Sequence, residues 1–186
     1  MDRDAQAHTV TSSTSRPKPI RADGRHRLHP ADYGDIQWQR LLDFALSRAK
    51  HFECVVPYRI VRQDLLAAPL WPPTLEAYRG DLVARHASMI RGESTLDAPV
   101  EYLRFRLSPM VRRFVARTRR QADWAWPLAR PEDPTFLVNE LPLLGVNSAS
   151  GRVVVFATAQ ERTELADVGI RLLEPLAARA EPWPTP

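Results

Sequence analysis

The chain has 186 residues, 44% of them hydrophobic and 26% charged, with a formal net charge of +4. That is enough chain for one domain with a real core and too little for two. Its single cysteine, Cys54, excludes an intrachain disulfide and any CxxC metal or redox motif.

Residues 1–30 are polar, with Val10, Ile20 and Leu28 as the only sizeable apolar groups, and they carry a net +3 against +1 for the remaining 156 residues. Such a segment buries too little surface to offset its ordering entropy, so a disordered basic tail is expected, followed by a single domain over 31–180 and a frayed end at 181–186. Met1 to Ala7 contain Asp2, Arg3 and Asp4 and lack the apolar run of a secretory signal. No stretch approaches the roughly 20 apolar residues of a membrane span. A soluble, cytoplasmic protein without a membrane partner is the expectation. Only Lys18 and Lys50 among the 26 basic residues are lysine, an arginine bias that suggests a GC-rich, bacterial genome.

The spacing of Ile36, Leu41, Leu42, Ala45, Leu46 and Ala49 predicts a first helix over 36–50, with Asp35 as its cap. Phe52 to Val61, broken by Pro57, reads as a strand pair or one interrupted strand. A rigid proline loop around Trp71 leads into a second predicted helix over 74–90, with Leu75, Tyr78, Leu82, Met89 and Ile90 on its apolar side. Val100 to Leu107 alternates as a half-buried strand, in which Glu101 shares the face of Leu103, Phe105 and Leu107. Ser108-Pro109 opens a third helix that continues to about Trp124. Strands follow at 136–138, 143–146 and 152–157, the last two joined by a hairpin at 147–151. Thr158 and Glu161 have the spacing of a capping box for the final helix, which Pro175 ends or kinks. The order of elements points to an α+β fold: an antiparallel sheet of about 4–5 strands with about four helices packed against it.

Tyr102 to Ala122 holds seven arginines and no acid, while everything else after residue 30 sums to −6. On a helix, Arg112, Arg113, Arg117, Arg119 and Arg120 fall within about 160° of arc, opposite Met110, Val111, Phe114, Val115 and Ala122. That pattern predicts one buried face and one continuous guanidinium face, which Arg104 and Arg106 on the preceding strand extend. Guanidinium pairs with phosphate or carboxylate through two parallel bonds, so the face would suit nucleic acid or an acidic protein. The bland alternative is a solvated face with arginines near a helix C-terminus. Trp124 and Trp126 end this helix; loop aromatics either anchor a partner or plug the domain's own core.

Catalytic vocabulary is sparse. There is no GxSxG elbow, phosphate-cradling glycine loop or HExxH spacing. Cys54 sits in an apolar run that suggests burial. His51 and His86 stand alone, Glu132-Asp133 lies in a proline-bounded turn, and Glu53 and Glu101 have no partner identifiable from spacing. No cofactor, metal or catalytic residue is expected. The leading expectation is a non-enzymatic domain of a bacterial immunity, adaptor or accessory type that binds another protein. The alternative is nucleic-acid binding through the arginine helix, and the third is an enzyme whose site gathers Glu53, Glu101, Glu132 and Asp133.

Overall fold

The computed structural model describes residues 23–32, 34–57, 73–90, 98–124, 132–148 and 150–174. In chain order the elements are β1 (His26–Pro30), α1 (Asp35–Arg48), β2 (His51–Pro57), the 3₁₀ helix η1 (Pro73–Asp81), β3 (Leu82–Ile90), β4 (Ala98–Arg106) and α2 (Pro109–Ala116). They continue with the 3₁₀ helix η2 (Gln121–Trp124), β5 (Glu132–Val138), β6 (Leu141–Asn147), β7 (Arg152–Ala157), α3 (Ala159–Asp167) and β8 (Leu172–Leu173). The strands form one eight-stranded sheet in the order β3-β4-β2-β5-β6-β7-β1-β8, and every pair is antiparallel. The fold is α+β, with more strands than the four or five expected. No helix among the described residues is long and apolar enough to cross a membrane.

Three strands account for the difference. Residues 26–30, placed in the tail by their polarity, form β1 between β7 and β8, with Leu28 buried against the core. Residues 82–90, expected to be helical, form the edge strand β3, paired with β4 from Leu82↔Phe105 to Ile90↔Ala98. Its leucine, alanines, arginine and methionine are good helix formers, and pairing with a long neighbour overrides that propensity. β8 takes Leu172 and Leu173, expected to belong to the final helix, which instead ends at Asp167 well before Pro175. The third helix also stops early, at Ala116. Thr118 turns its hydroxyl back to the Val115 carbonyl at 2.6 Å, and the Asp123 carboxylate accepts the backbone N–H groups of Arg119 and Arg120.

Register sorts the side chains onto two faces. One row crosses seven strands through the paired residues Leu28, Val155, Leu144, Phe136, Phe52, Phe105 and Leu82. This row faces the helices, because its buried members share one core with Trp38, Leu41 and Leu42 of α1 and Val111, Phe114 and Val115 of α2. Trp124 closes that core. It is fully buried, with ring centroids 5.4 Å from Phe52 and 6.3 Å from Phe114. Each such side chain stabilises the fold by about 1.5–3 kcal/mol through burial alone. The neighbouring row, Val154, Gly145, Thr135, Glu53, Arg104 and Ala84, lies on the opposite face.

The helical layer has α1 at its centre. Arg112 of α2 reaches the C-terminal end of α1, while Gln39 near the start of α1 donates to the Thr118 carbonyl just beyond α2. On the other flank, Arg48 of α1 bonds Glu164 of α3, and Arg40 donates to the Val168 carbonyl past the end of α3. Both flanking helices therefore run antiparallel to α1. Asp35 is the first residue of α1, and Gly34 precedes it as a cap without a side-chain bond. The capping box of α3 forms as its spacing predicts, with Thr158 and Glu161 each accepting the other's backbone N–H.

Glu161 also accepts two bonds from the Arg25 guanidinium, at 3.1 and 2.7 Å, and so ties the start of β1 to α3. Burial alone would raise its pKa, but the bonds from Arg25, the Thr158 N–H and its hydroxyl outweigh it and hold the carboxyl below its usual 4.5. A depressed carboxylate stabilises the fold above its unfolded-state pKa, and that contribution is lost as pH falls through the folded value. Urea unfolding over a pH series is therefore expected to show stability falling below pH 4.5, with a shallower fall in Arg25→Ala. Parallel acid slopes in the two proteins would contradict this role.

Candidate functional site

The seven arginines of the acid-free run do not form one surface. Arg104 and Arg106 share the sheet face opposite the helices, so they do not extend the face of α2. Arg104 is engaged internally: its guanidinium bonds Glu53 at 2.8 and 2.7 Å and also reaches Glu140. Glu140 and Asn139 form the two-residue turn between β5 and β6, both at positive φ, the signature of a type I′ hairpin. Neither is glycine, and Arg104 holds the turn from the strand beside it, while the His51 ring lies 3.2 Å from Glu140 without a hydrogen bond to it.

Arg112 is also turned inward. Its guanidinium donates to the carbonyls of Leu107 (2.9 Å), Ala49 (3.1 Å) and Leu46. The last carbonyls of a helix have no intrahelical donor, so this arginine serves as a C-cap for α1 supplied by its neighbour. The guanidinium face that remains consists of Arg113, Arg117, Arg119 and Arg120, all exposed. Arg120 lies 3.6 Å from Asp35, whereas Arg113, Arg117 and Arg119 form no ion pair among the described residues. Met110, expected on the buried side, is instead 47% exposed and shares the stripe of Arg113 at i+3 and of the C-cap residue Arg117 at i+7. Trp124 belongs to the core and offers nothing to a partner; Trp126 and Trp71 lie outside the described residues.

The acids expected of an enzyme are divided: Glu53 and Asp133 both bear on Tyr102, while Glu101 lies on the other face of the sheet. Glu53 lies on the face opposite the helices, bound to Arg104. Glu101 is buried on the helix-facing side with Arg85 2.5 Å from one oxygen, and its second oxygen has no partner among the described residues. Asp133, at positive φ, exchanges bonds with Ser148: its carboxylate accepts the Ser148 N–H at 2.6 Å and its own N–H donates to the Ser148 hydroxyl at 2.9 Å. Burial raises the Asp133 pKa against those bonds. The Tyr102 phenol is likewise pushed up, first by burial and then by the charges of Asp133 and Glu53. His86 is on β3, not on a helix surface, and stacks on the Tyr102 ring at 4.8 Å. The side chain of Glu132 lies outside the described residues. Cys54 is fully buried with its thiol pushed well up by the loss of solvent, an inert core position. Among the described residues, no three histidine, cysteine or acidic side chains could together hold a metal ion.

The chain matches no protein-family model, no curated protein and no solved structure. The reading of its function rests on its own geometry.

Proposed function

We propose that this chain is a non-enzymatic protein-binding domain, of the immunity, adaptor or accessory type, that docks its partner on the outer side of α2. The observation that carries this reading is the stripe of Met110, Arg113 and Arg117. It is exposed and free of acids, and its back is anchored by Val111, Phe114 and Val115. Methionine and arginine are enriched at protein interfaces, and a rigid helix presents them at low entropic cost. Charge complementarity then selects an acidic partner surface.

A photo-crosslinking amino acid at position 110 tests it in cells, with position 147 in the exposed β6–β7 hairpin as the control. A discrete protein adduct at 110 and none at 147 is expected, lost on adding Arg113→Glu and Arg117→Glu. Equal labelling at both positions would remove the reading. A second reading, nucleic-acid binding, is favoured by the three guanidiniums of Arg113, Arg117 and Arg119 that lack a carboxylate among the described residues. It requires affinity for labelled single-stranded RNA or duplex DNA that falls steeply with salt and disappears in the same charge reversal.

A further inference from the structure

The sheet has two edges of very different length. One ends in β8, two residues long, and the other in β3, nine residues long. At about 3.4 Å per residue, β3 presents an edge of about 30 Å. In an antiparallel ladder a terminal strand turns alternate N–H and C=O groups away from its neighbour, where they can pair with another strand. Among the described residues, the backbone of β3 bonds only to β4. The strand is also open on both faces of the sheet. Ala84 and His86 on one face and Arg85 on the other are exposed, and Val83 is 44% exposed. The helical layer stops short of it: β3 packs against β4 and has no comparable contact with a helix. A strand held by one ladder, with neither face packed, is only weakly supported.

Edge strands are kept apart by brevity, bulges, proline, lysine or an inward charge. β3 has a bulge only at its start, between Leu82 and Ala84, after which Ala84 to Ile90 run in unbroken register with β4. Over 82–90 there is no proline, lysine or acid. The one arginine there, Arg85, is paired with Glu101 at 2.5 Å, so little like-charge repulsion opposes two such strands. An antiparallel edge is complementary to its own copy: after a half-turn, each outward donor meets an acceptor. Because the helices stop short of β3, two copies meet edge to edge without their helical layers colliding. We infer that β3 pairs antiparallel with β3 of a second copy about a twofold axis, joining two eight-stranded sheets into one. The other edge, β8, is too short to join a further copy, so association closes at two. This contact is separate from the docking surface on α2, which lies in the helical layer. One strand pair is a small contact, so a dissociation constant of about 10–100 µM is expected.

Sedimentation equilibrium of the full chain from about 3 to about 300 µM tests this, and a monomer–dimer equilibrium without larger species is expected. Val83→Lys with His86→Lys places charges at exposed positions of the edge and is expected to leave a monomer, with its far-ultraviolet circular dichroism intact. Arg113→Glu with Arg117→Glu is expected to dimerise like the parent chain. Amide hydrogen exchange of the parent chain at both ends of the concentration range locates the contact without any substitution. Alternate amides between Ala84 and Ile90 are expected to exchange at least about tenfold more slowly at the higher concentration, with the amides between them unchanged. A chain that stays monomeric at about 300 µM overturns the inference and leaves the α2 reading standing. A dimer that survives the lysine pair, that is lost in the Arg113/Arg117 variant, or whose β3 amides exchange alike at both concentrations also overturns it.

Discussion

Replacing Arg112 with alanine is expected to cost about 2–4 kcal/mol, more than an exposed arginine can contribute. The reason is its three carbonyl partners: Leu107 before α2, and Leu46 and Ala49 at the end of α1. Bonds from a charged donor are worth about 1.5–3 kcal/mol each, and they do not add in full when they share one side chain. The carbonyls of Leu46 and Ala49 close the layer between α1 and α2, so their loss also loosens the helix packing. Arg112→Lys is expected to recover less than half, because an ammonium is a point donor and cannot fork across two carbonyls. Urea unfolding monitored by tryptophan fluorescence reads both. A change under about 0.5 kcal/mol, the usual range for a surface substitution, would mean that water replaces the guanidinium freely.

Arg104→Met is expected to be at least as damaging, at about 3–5 kcal/mol. Glu53 is 8% exposed at its side chain and has Arg104 as its ion-pair partner, so the substitution strands a buried carboxylate. The same change releases Glu140, which is 60% exposed and can turn to solvent at little cost. Most of the loss therefore belongs to Glu53. That assignment predicts rescue: Arg104→Met with Glu53→Met replaces the pair by apolar groups and returns most of the stability. A double-mutant cycle measures it. If the double variant is as unstable as the sum of the single ones, the two side chains act independently and the pair is not what holds this face.

What could be read from the sequence was local. Ser108 accepts the Val111 N–H at the start of α2, the Thr158–Glu161 box closes the start of α3, and the hairpin at 147–151 joins β6 to β7. Each depends on residues within a few positions of one another. What could not be read depends on distant partners. β1 has one large apolar residue, Leu28, and its place comes from β7 and from the Arg25–Glu161 bond, 136 residues apart in sequence. β3 carries a helical composition, and only β4 makes it a strand. The arginines show the same division. A helical projection continued past Ala116 joins Arg112 to Arg119 and Arg120 on one arc, but Thr118 and Asp123 end the helix there. Nothing within the run could indicate that Arg112 meets the end of α1, 63 residues earlier, or that Arg104 meets Glu53, 51 residues earlier.

The central claim is this division of one basic run into arginines that build the fold and arginines that the fold presents. Denaturant unfolding of the seven single Arg→Ala variants at 104, 106, 112, 113, 117, 119 and 120 tests it most directly. Two deep losses are expected, at Arg104 and Arg112, with Arg113, Arg117 and Arg119 within about 0.5 kcal/mol of the parent chain. Losses spread evenly over the run, or concentrated at Arg113 and Arg117, would contradict it, because the exposed face of α2 would then be part of the scaffold and not a surface held out to a partner.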